Sequence, residues 1–321
     1  MSSLATIYSL ARMFDLRYFV TSEQAELLSY YFEPETLRLS VLERDLPLNY
    51  SLGRLRWETP WEKLDGIDNN FKYDEAEDVR LHKGAALNVG EYPNDVRHFL
   101  PFLPELRQMF TLRRRFRRRA EKSLQAELSM RAADNVTWVG VHNRRGDYGD
   151  HLATLYGLKL LEADYFHDAM QRFNRVYNNV IFIVVTDDME WAKTNLVFPG
   201  LHVAFAGHSK VLQKDIHHPL VAADDVGDDL ALLAACNHTI LSYGTFGQWG
   251  ALLAGGKVVI SDTAAMTKEG RELMGGGLGA HNSGWTWIPA SLEVSLATNL
   301  ATCLGRILLA STATNILIQF R

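Results

Sequence analysis

A chain of 321 residues with 47% hydrophobic content is long enough to bury two cores. Its aromatic residues are spread along the length and no Pro/Ser/Gly tract persists, which excludes a disordered tether. The formal net charge of −5 argues against nucleic acid as the main partner, and two cysteines, Cys236 and Cys303, make neither a disulfide framework nor a metal site by spacing.

The chain opens on residues 4–13, which have helical period. No basic n-region or apolar h-region stands there, so neither a signal peptide nor a membrane anchor is expected. Residues 81–110 carry Pro93, Pro101 and Pro104 and must contain turns and helix starts. Residues 106–131 read as a charged helix crowded by Arg113, Arg114, Arg115, Arg117, Arg118 and Arg119. Such a run is either a solvated helix face or a rim that steers an anionic nucleotide or an acidic membrane surface.

From 135 onward the texture changes. Strands are expected at 137–141, 180–185, 201–205, 239–241 and 257–260, with helices at 163–177, 188–195, 228–236 and 246–253. The run 180–185 has no polar alternation, as in a sheet covered on both faces. Repeated β then α at this spacing predicts a parallel, doubly wound sheet. The stretch 292–320 is fairly apolar but interrupted by Glu293 and Arg306, and reads as a packed tail in preference to a membrane span. Sequons at Asn49, Asn135 and Asn237 would fit a lumenal protein.

Doubly wound sheets bind ligands at the carboxyl ends of their strands, so the residues after each strand are the candidates. After 137–141 come His142, Arg144, Arg145, Gly146 and Asp147. Two arginine forks suit phosphate oxygens, and fixed guanidinium groups can neutralise a departing diphosphate. Asp147 would hold one arginine; the other reading is a structural ion-pair turn. After 180–185 come Thr186 and Asp187, either of them an N-cap for the next helix, with Glu190 at capping spacing from Asp187. The pair Asp187-Asp188 also invites a cation but lacks a wider set of oxygen ligands. After 239–241, Gly244 and Gly247 allow close backbone approach, Thr245 caps a helix start, and the free N–H groups there suit phosphate. The same turn also serves plain packing. Asp229, at the expected start of helix 228–236, is either a helix-dipole acid or an acceptor for a guanine N–H edge.

These residues resemble a known family. VGVHNRRGDY at 139–148, FIVVTDDMEW at 182–191, and DLALL at 229–233 with CNHTI at 236–240 and GTFG at 244–247 are similar to the three ordered signatures of the α-1,2-fucosyltransferases, glycosyltransferase family 11. Gly90-Glu91-Tyr92, Arg97-His98-Phe99 and residues 4–13 also resemble its upstream segments. The resemblance covers residues 1–289. It implies a GT-B-like two-domain α/β architecture: an acceptor-side domain over 1–134, a Rossmann-like domain binding GDP-fucose over 135–290, and a tail at 291–321 of unclear role. It further implies GDP-fucose as donor, a galactose-terminated glycan as acceptor, inversion, no cofactor and no required metal. By the same likeness Arg144 and Arg145 contact the diphosphate, and His142 lines the nucleotide site with Thr186 and Asp187 on the donor side. Thr245 and the amides around Gly244, Phe246 and Gly247 hold phosphate, and Asp229 reads guanine. His142 and Asp147 are candidates by type for the general base. The family is Golgi-lumenal with an N-terminal anchor. Here Met1 falls where the family's Gly-Asn turn should be ending, so its first strand and anchor are expected to be missing, and Pro93-Asn94-Asp95 replaces its Gln-Ser pair. Two further readings stand beside transfer: a GDP-sugar or glycan-binding chain without turnover, and a GDP-sugar transferase of another linkage.

Overall fold

Two sets of apolar residues find separate partners, and by contact the chain divides into Met1–Met109 with Leu308–Arg321, and Phe110–Ile307. A computed structural model describes residues 1–13, 17–41, 52–54, 86–88, 99–131, 135–156, 158–207, 219–262, 285–289 and 317–319.

In the first unit, helix α1 (Ser2–Met13) buries every side chain from Leu4 to Ala11. Strand β1 (Arg17–Phe19) leads to α2 (Ser22–Tyr31), which starts in a reciprocal capping box. The Gln24 N–H donates to Thr21 Oγ1, and the Thr21 N–H donates to Gln24 Oε1. Strands β2 (Leu52–Arg54) and β3 (Ala86–Asn88) follow, then α3 (Leu103–Met109). Glu105 of α3 accepts from Tyr8 and Arg12 of α1 and ties the two helices together. The strand Leu317–Gln319 pairs between β1 and β3, so part of the segment read as a tail is built into this sheet.

In the second unit come α4 (Arg114–Arg131), β4 (Thr137–Asn143), α5 (Tyr148–Tyr156), α6 (Ala163–Val176), β5 (Val180–Thr186), α7 (Met189–Asn195), β6 (His202–Phe205), α8 (Pro219–Ala234), β7 (His238–Leu241), α9 (Thr245–Ala254), β8 (Val258–Asp262) and β9 (Trp285–Pro289). The sheet order is β6-β5-β4-β7-β8-β9, and every adjacent pair is parallel. This is the expected α/β class with a Rossmann-like parallel sheet. All seven residues of β5 are buried, which is why it lacks alternation. Phe166, Met170, Phe182 and Val184 lie at the centre of the core. Cys236 is also buried, and burial pushes its thiol up to about 12, so it serves packing. The chain order reverses between β4 and β7, and such switch points open a crevice at the strands' carboxyl ends.

Several elements differ from expectation. The helix expected over 106–131 is broken into α3 and α4, because Phe110 and Leu112 turn inward, Phe110 onto Trp249 at 5.1 Å. Helix α4 therefore belongs to the second unit, whose contact boundary falls at Phe110, ahead of the expected 134. Helix α8 starts at Pro219, well before 228. Pro at a first helical position needs no N–H, so it opens the helix. Gly227 looks like a breaker in sequence, yet it sits inside α8 because the Phe116 ring of α4 lies 2.3 Å from where its Cβ would stand. Helix α5 and strand β9 were not among the expected elements.

Candidate functional site

The site is assembled where β4 and β7 part. Their pairing sets His142 opposite Leu241, and the next residues reach across: the Ser242 N–H donates to the His142 carbonyl at 2.9 Å, and the Arg144 N–H donates to Ser242 Oγ at 2.8 Å. The arginine turn is thus fastened to the end of β7. Pairing of β4 with β5 sets Asn143 opposite Thr186, so the residues just beyond, Arg144 and Asp187, face one another.

The Arg144 guanidinium donates to Asp187 and, at 2.5 Å, to Asp147. Asp187 also accepts the Arg145 N–H at 2.7 Å. The two acids are unlike: the Asp187 side chain is 7% exposed and that of Asp147 78%, while Arg144 keeps 33% of its side chain open. Asp187 is therefore the anchor that Asp147 was expected to be, with Asp147 a solvated second contact. Gly146 permits this closeness, since a Cβ there would stand 2.7 Å from Asp187 Oδ2.

Arg145 turns away. Its guanidinium lies 3.5 Å from the Trp191 ring centre, donates to the Leu161 carbonyl at 2.8 Å and lies 3.5 Å from Glu162. It braces the loop before α6, so the two arginines, both expected to contact a diphosphate, differ in their surroundings. Thr186 and Asp187 do not cap α7. Asp188 does, accepting the Trp191 N–H at 3.0 Å, while Thr186 Oγ1 accepts the Asp188 N–H. The acidic pair is thus committed to an arginine and a helix cap.

His142 is 4% exposed, its ring pressed against Gly247 and 5.8 Å from the Phe246 ring. Burial first, and the Arg144 charge second, lower its pKa to about 3. A buried imidazole of such low basicity is a poor general base. Because the folded pKa lies below the ordinary value, the unfolded chain gains the proton first. The stability that neutral His142 contributes is present above about pH 6.5 and is lost as pH falls toward about 3, with a slope of at most ~1.4 kcal/mol per pH unit. Urea unfolding of His142→Gln at pH 7, 6 and 5 is expected to show a shallower decline than the parent.

Gly244 is the N-cap of α9, with φ +94, a conformation that favours glycine, and no side-chain cap bond. Thr245 is the first helical residue and not the cap. Tyr148 links this end to the arginine turn: Arg144 Cζ is 5.7 Å from its ring centre, and its hydroxyl lies 3.8 Å from an ideal Cβ on Gly244. The structure therefore brings Arg144, Asp147, Asp187, Tyr148, Gly244 and the first turn of α9 together. Asp229 is fully buried inside α8 and not at its start, so the helix-dipole reading falls. Ser242 and Tyr148 were missed as candidates; Tyr148 closes the quoted stretch 139–148 and Ser242 lies between the stretches 236–240 and 244–247, yet nothing in their spacing names their partners. A cavity of about 150 Å³ in the first unit, lined by Tyr8, Arg38, Glu105 and Gln108 among others, shares no residue with this turn. Asn135 and Asn237 are exposed, Asn237 accepting the Trp138 N–H at 2.8 Å, whereas Asn49 lies outside the described residues.

Known proteins supply a comparison. The model of Glycosyl transferase family 11 matches residues 4–288. Galactoside 2-alpha-L-fucosyltransferase Sec1 of Mus musculus is 30% identical over 259 residues, 81% of this chain and 62% of that protein. Galactoside alpha-(1,2)-fucosyltransferase 2 of Pongo pygmaeus is 29% identical over 259 residues, 81% and 67% of the two. The crystal structure of NodZ alpha-1,6-fucosyltransferase soaked with GDP-fucose is 18% identical, with a TM-score of 0.35 over 51% of each chain. This chain spans 62% of the length of the Sec1 relative.

Proposed function

The chain belongs to glycosyl transferase family 11, and on that premise we propose that it acts as a galactoside α-1,2-fucosyltransferase. In this reading it moves L-fucose from GDP-fucose to a terminal galactose of a glycan, with inversion and without a metal. The observation that carries the proposal is the Arg144 fork, held by Asp187 and Asp147 beside a helix start that no side chain caps.

The acceptor hydroxyl oxygen attacks the anomeric carbon from the face opposite GDP. The bond from that carbon to the β-phosphate oxygen breaks, and its electron pair leaves on the diphosphate, while the hydroxyl proton passes to a base. Negative charge grows on the leaving group, and a pre-oriented guanidinium meets it without reorganising. The amides of Thr245, Phe246 and Gly247, after Gly244, add donors at a positive helix end. Arg145 positions the turn through Trp191 and Leu161. Asp229 is proposed to read the guanine edge, and Thr186 with Asp187 to support the donor side. We propose in addition that the protein works in the Golgi lumen as an anchored type II membrane protein, with Asn49, Asn135 and Asn237 as candidate glycan carriers, a reading supported by the family resemblance. Among the described residues no helix is long and apolar enough to cross a membrane.

The test is incubation of the purified chain with GDP-fucose and a β-galactoside, with and without a chelator. Fucose transfer to O2 of galactose, unchanged by the chelator, is the expected result. Loss of transfer on chelation defeats the metal-free reading, and binding of GDP-fucose without hydrolysis or transfer defeats the enzymatic one.

A further inference from the structure

A buried polar group normally finds a partner, because one left unpaired has lost its bond to water and gained nothing. Among the described residues the buried side-chain atoms without a partner are Ser9 Oγ in the first unit, and His142 Nδ1, Asn143 Nδ2, Gln248 Nε2 and Ser261 Oγ in the second. The four in the second unit gather at the carboxyl end of the parallel sheet. His142 and Asn143 close β4, Ser261 is the last residue but one of β8, and Gln248 is the fourth residue of α9, the helix that follows β7.

Gln248 is the one of these that a bound group can use. His142 is wedged against Gly247, and Asn143 and Ser261 are short side chains fixed on strands. The Gln248 amide rides on a longer, rotatable stem, although the residue is only 5% exposed. A long side chain on a helix leans back over the turn before it. For Gln248 that turn is the start of α9, where Gly244 stands four residues earlier and provides no side-chain cap. Among the described residues an ideal Cβ on Gly244 meets only Tyr148, at 3.8 Å, so there is room beside the helix start. An amide nitrogen donates and does not accept, so its partner is an acceptor. At a positive helix end near the Arg144 guanidinium, an anionic acceptor is favoured. Packing alone gives no reason for an amide here, since Trp249, Ala251 and Leu252 fill the neighbouring buried positions of α9.

We infer that Gln248 is a further nucleotide-binding residue, whose Nε2–H donates to a phosphate oxygen of a nucleoside diphosphate sugar at the start of α9. This rests on the GDP-fucose reading above and adds a residue to that site. It has a consequence that a packing role lacks. The unpaired amide destabilises the free chain and strengthens the complex, so stability and affinity move in opposite directions when it is removed.

The probe is GDP, titrated calorimetrically against the full chain, so no fucose transfer is needed. Gln248→Met keeps the length of the side chain and removes the donor. It is expected to raise the melting temperature of the free chain by about 2–4 °C and to weaken GDP roughly tenfold or more. Gln248→Leu should do the same, and Gln248→Glu, which sets a like charge beside the phosphate, should bind GDP more weakly still. Ser9→Ala removes an unpaired buried hydroxyl from the first unit and should leave GDP affinity unchanged. The inference is overturned if the two apolar variants bind GDP as tightly as the parent, or if both melt below it, the mark of an amide that the fold itself needs. A parent that does not bind GDP overturns the GDP-fucose reading and the inference with it, whereas equal binding by parent and apolar variants removes the inference alone.

Discussion

Replacing Arg144 with alanine is expected to lower fucose transfer by roughly 10²–10³-fold, the range seen when one fixed donor to a developing oxyanion is removed. The loss should fall on kcat more than on KM, because the charge that the fork meets is largest in the transition state. The fold should survive. Arg144 keeps a third of its side chain open, and the strand-end tie to Ser242 runs through its backbone N–H, which alanine retains. Arg144→Lys should recover only part of the rate. An ammonium carries the charge but cannot span Asp187 and Asp147 as a planar fork while facing a phosphate. Steady-state kinetics beside a melting curve checks this, and a folded Arg144→Ala chain with parental kcat would remove Arg144 from the reaction.

The second large effect belongs to Asp187. Its carboxylate holds the Arg144 fork with one oxygen and the Arg145 N–H with the other. Asp187→Ala frees the fork and leaves that N–H without its acceptor, so about 1–3 kcal/mol of stability should go with it. Turnover should fall roughly 10²-fold, since a misoriented guanidinium no longer meets the leaving group. Asp187→Asn should restore much of the stability, because an amide oxygen can still accept the Arg145 N–H, but less of the rate. Asp147→Ala should stay within a few-fold of the parent, because an exposed ion pair is worth little in water. The Arg144→Ala/Asp187→Ala double variant should be little slower than Arg144→Ala alone, since Asp187 acts through Arg144. Equal damage from Asp147→Ala, or multiplicative losses in the double variant, would contradict this division of labour.

The geometry also changes how the remaining motif residues are understood. Arg145, adjacent to Arg144 and chemically identical, braces Trp191 and the Leu161 carbonyl, whereas Arg144 pairs with Asp187 and Asp147, so neighbouring residues in one motif find different partners. His142 is a packing residue against Gly247, where a methyl group would stand 2.3 Å from its Nδ1.

Much of the second unit was legible without coordinates. The apolar run of β5, the alternation of strands with helices, and the clustering of Arg, Asp and Gly just past strand ends follow from local pattern, because periodicity and turn chemistry are properties of neighbouring residues. They sufficed to name the class of sheet and the residues that stand just past its strand ends. Partners distant in sequence were not legible. That Asp187, 43 positions from Arg144, is the anchor in place of nearby Asp147 depends on the register between β4 and β5. The start of α8 at Pro219 depends on Phe116 filling the space beside Gly227, and the break before α4 on Phe110 reaching Trp249. The direction of the Arg145 fork depends on an aromatic face carried by another helix. Local sequence determined which groups stand at the strand ends; register and packing, which join segments far apart in the chain, decided which of those groups are held, buried or left facing the crevice.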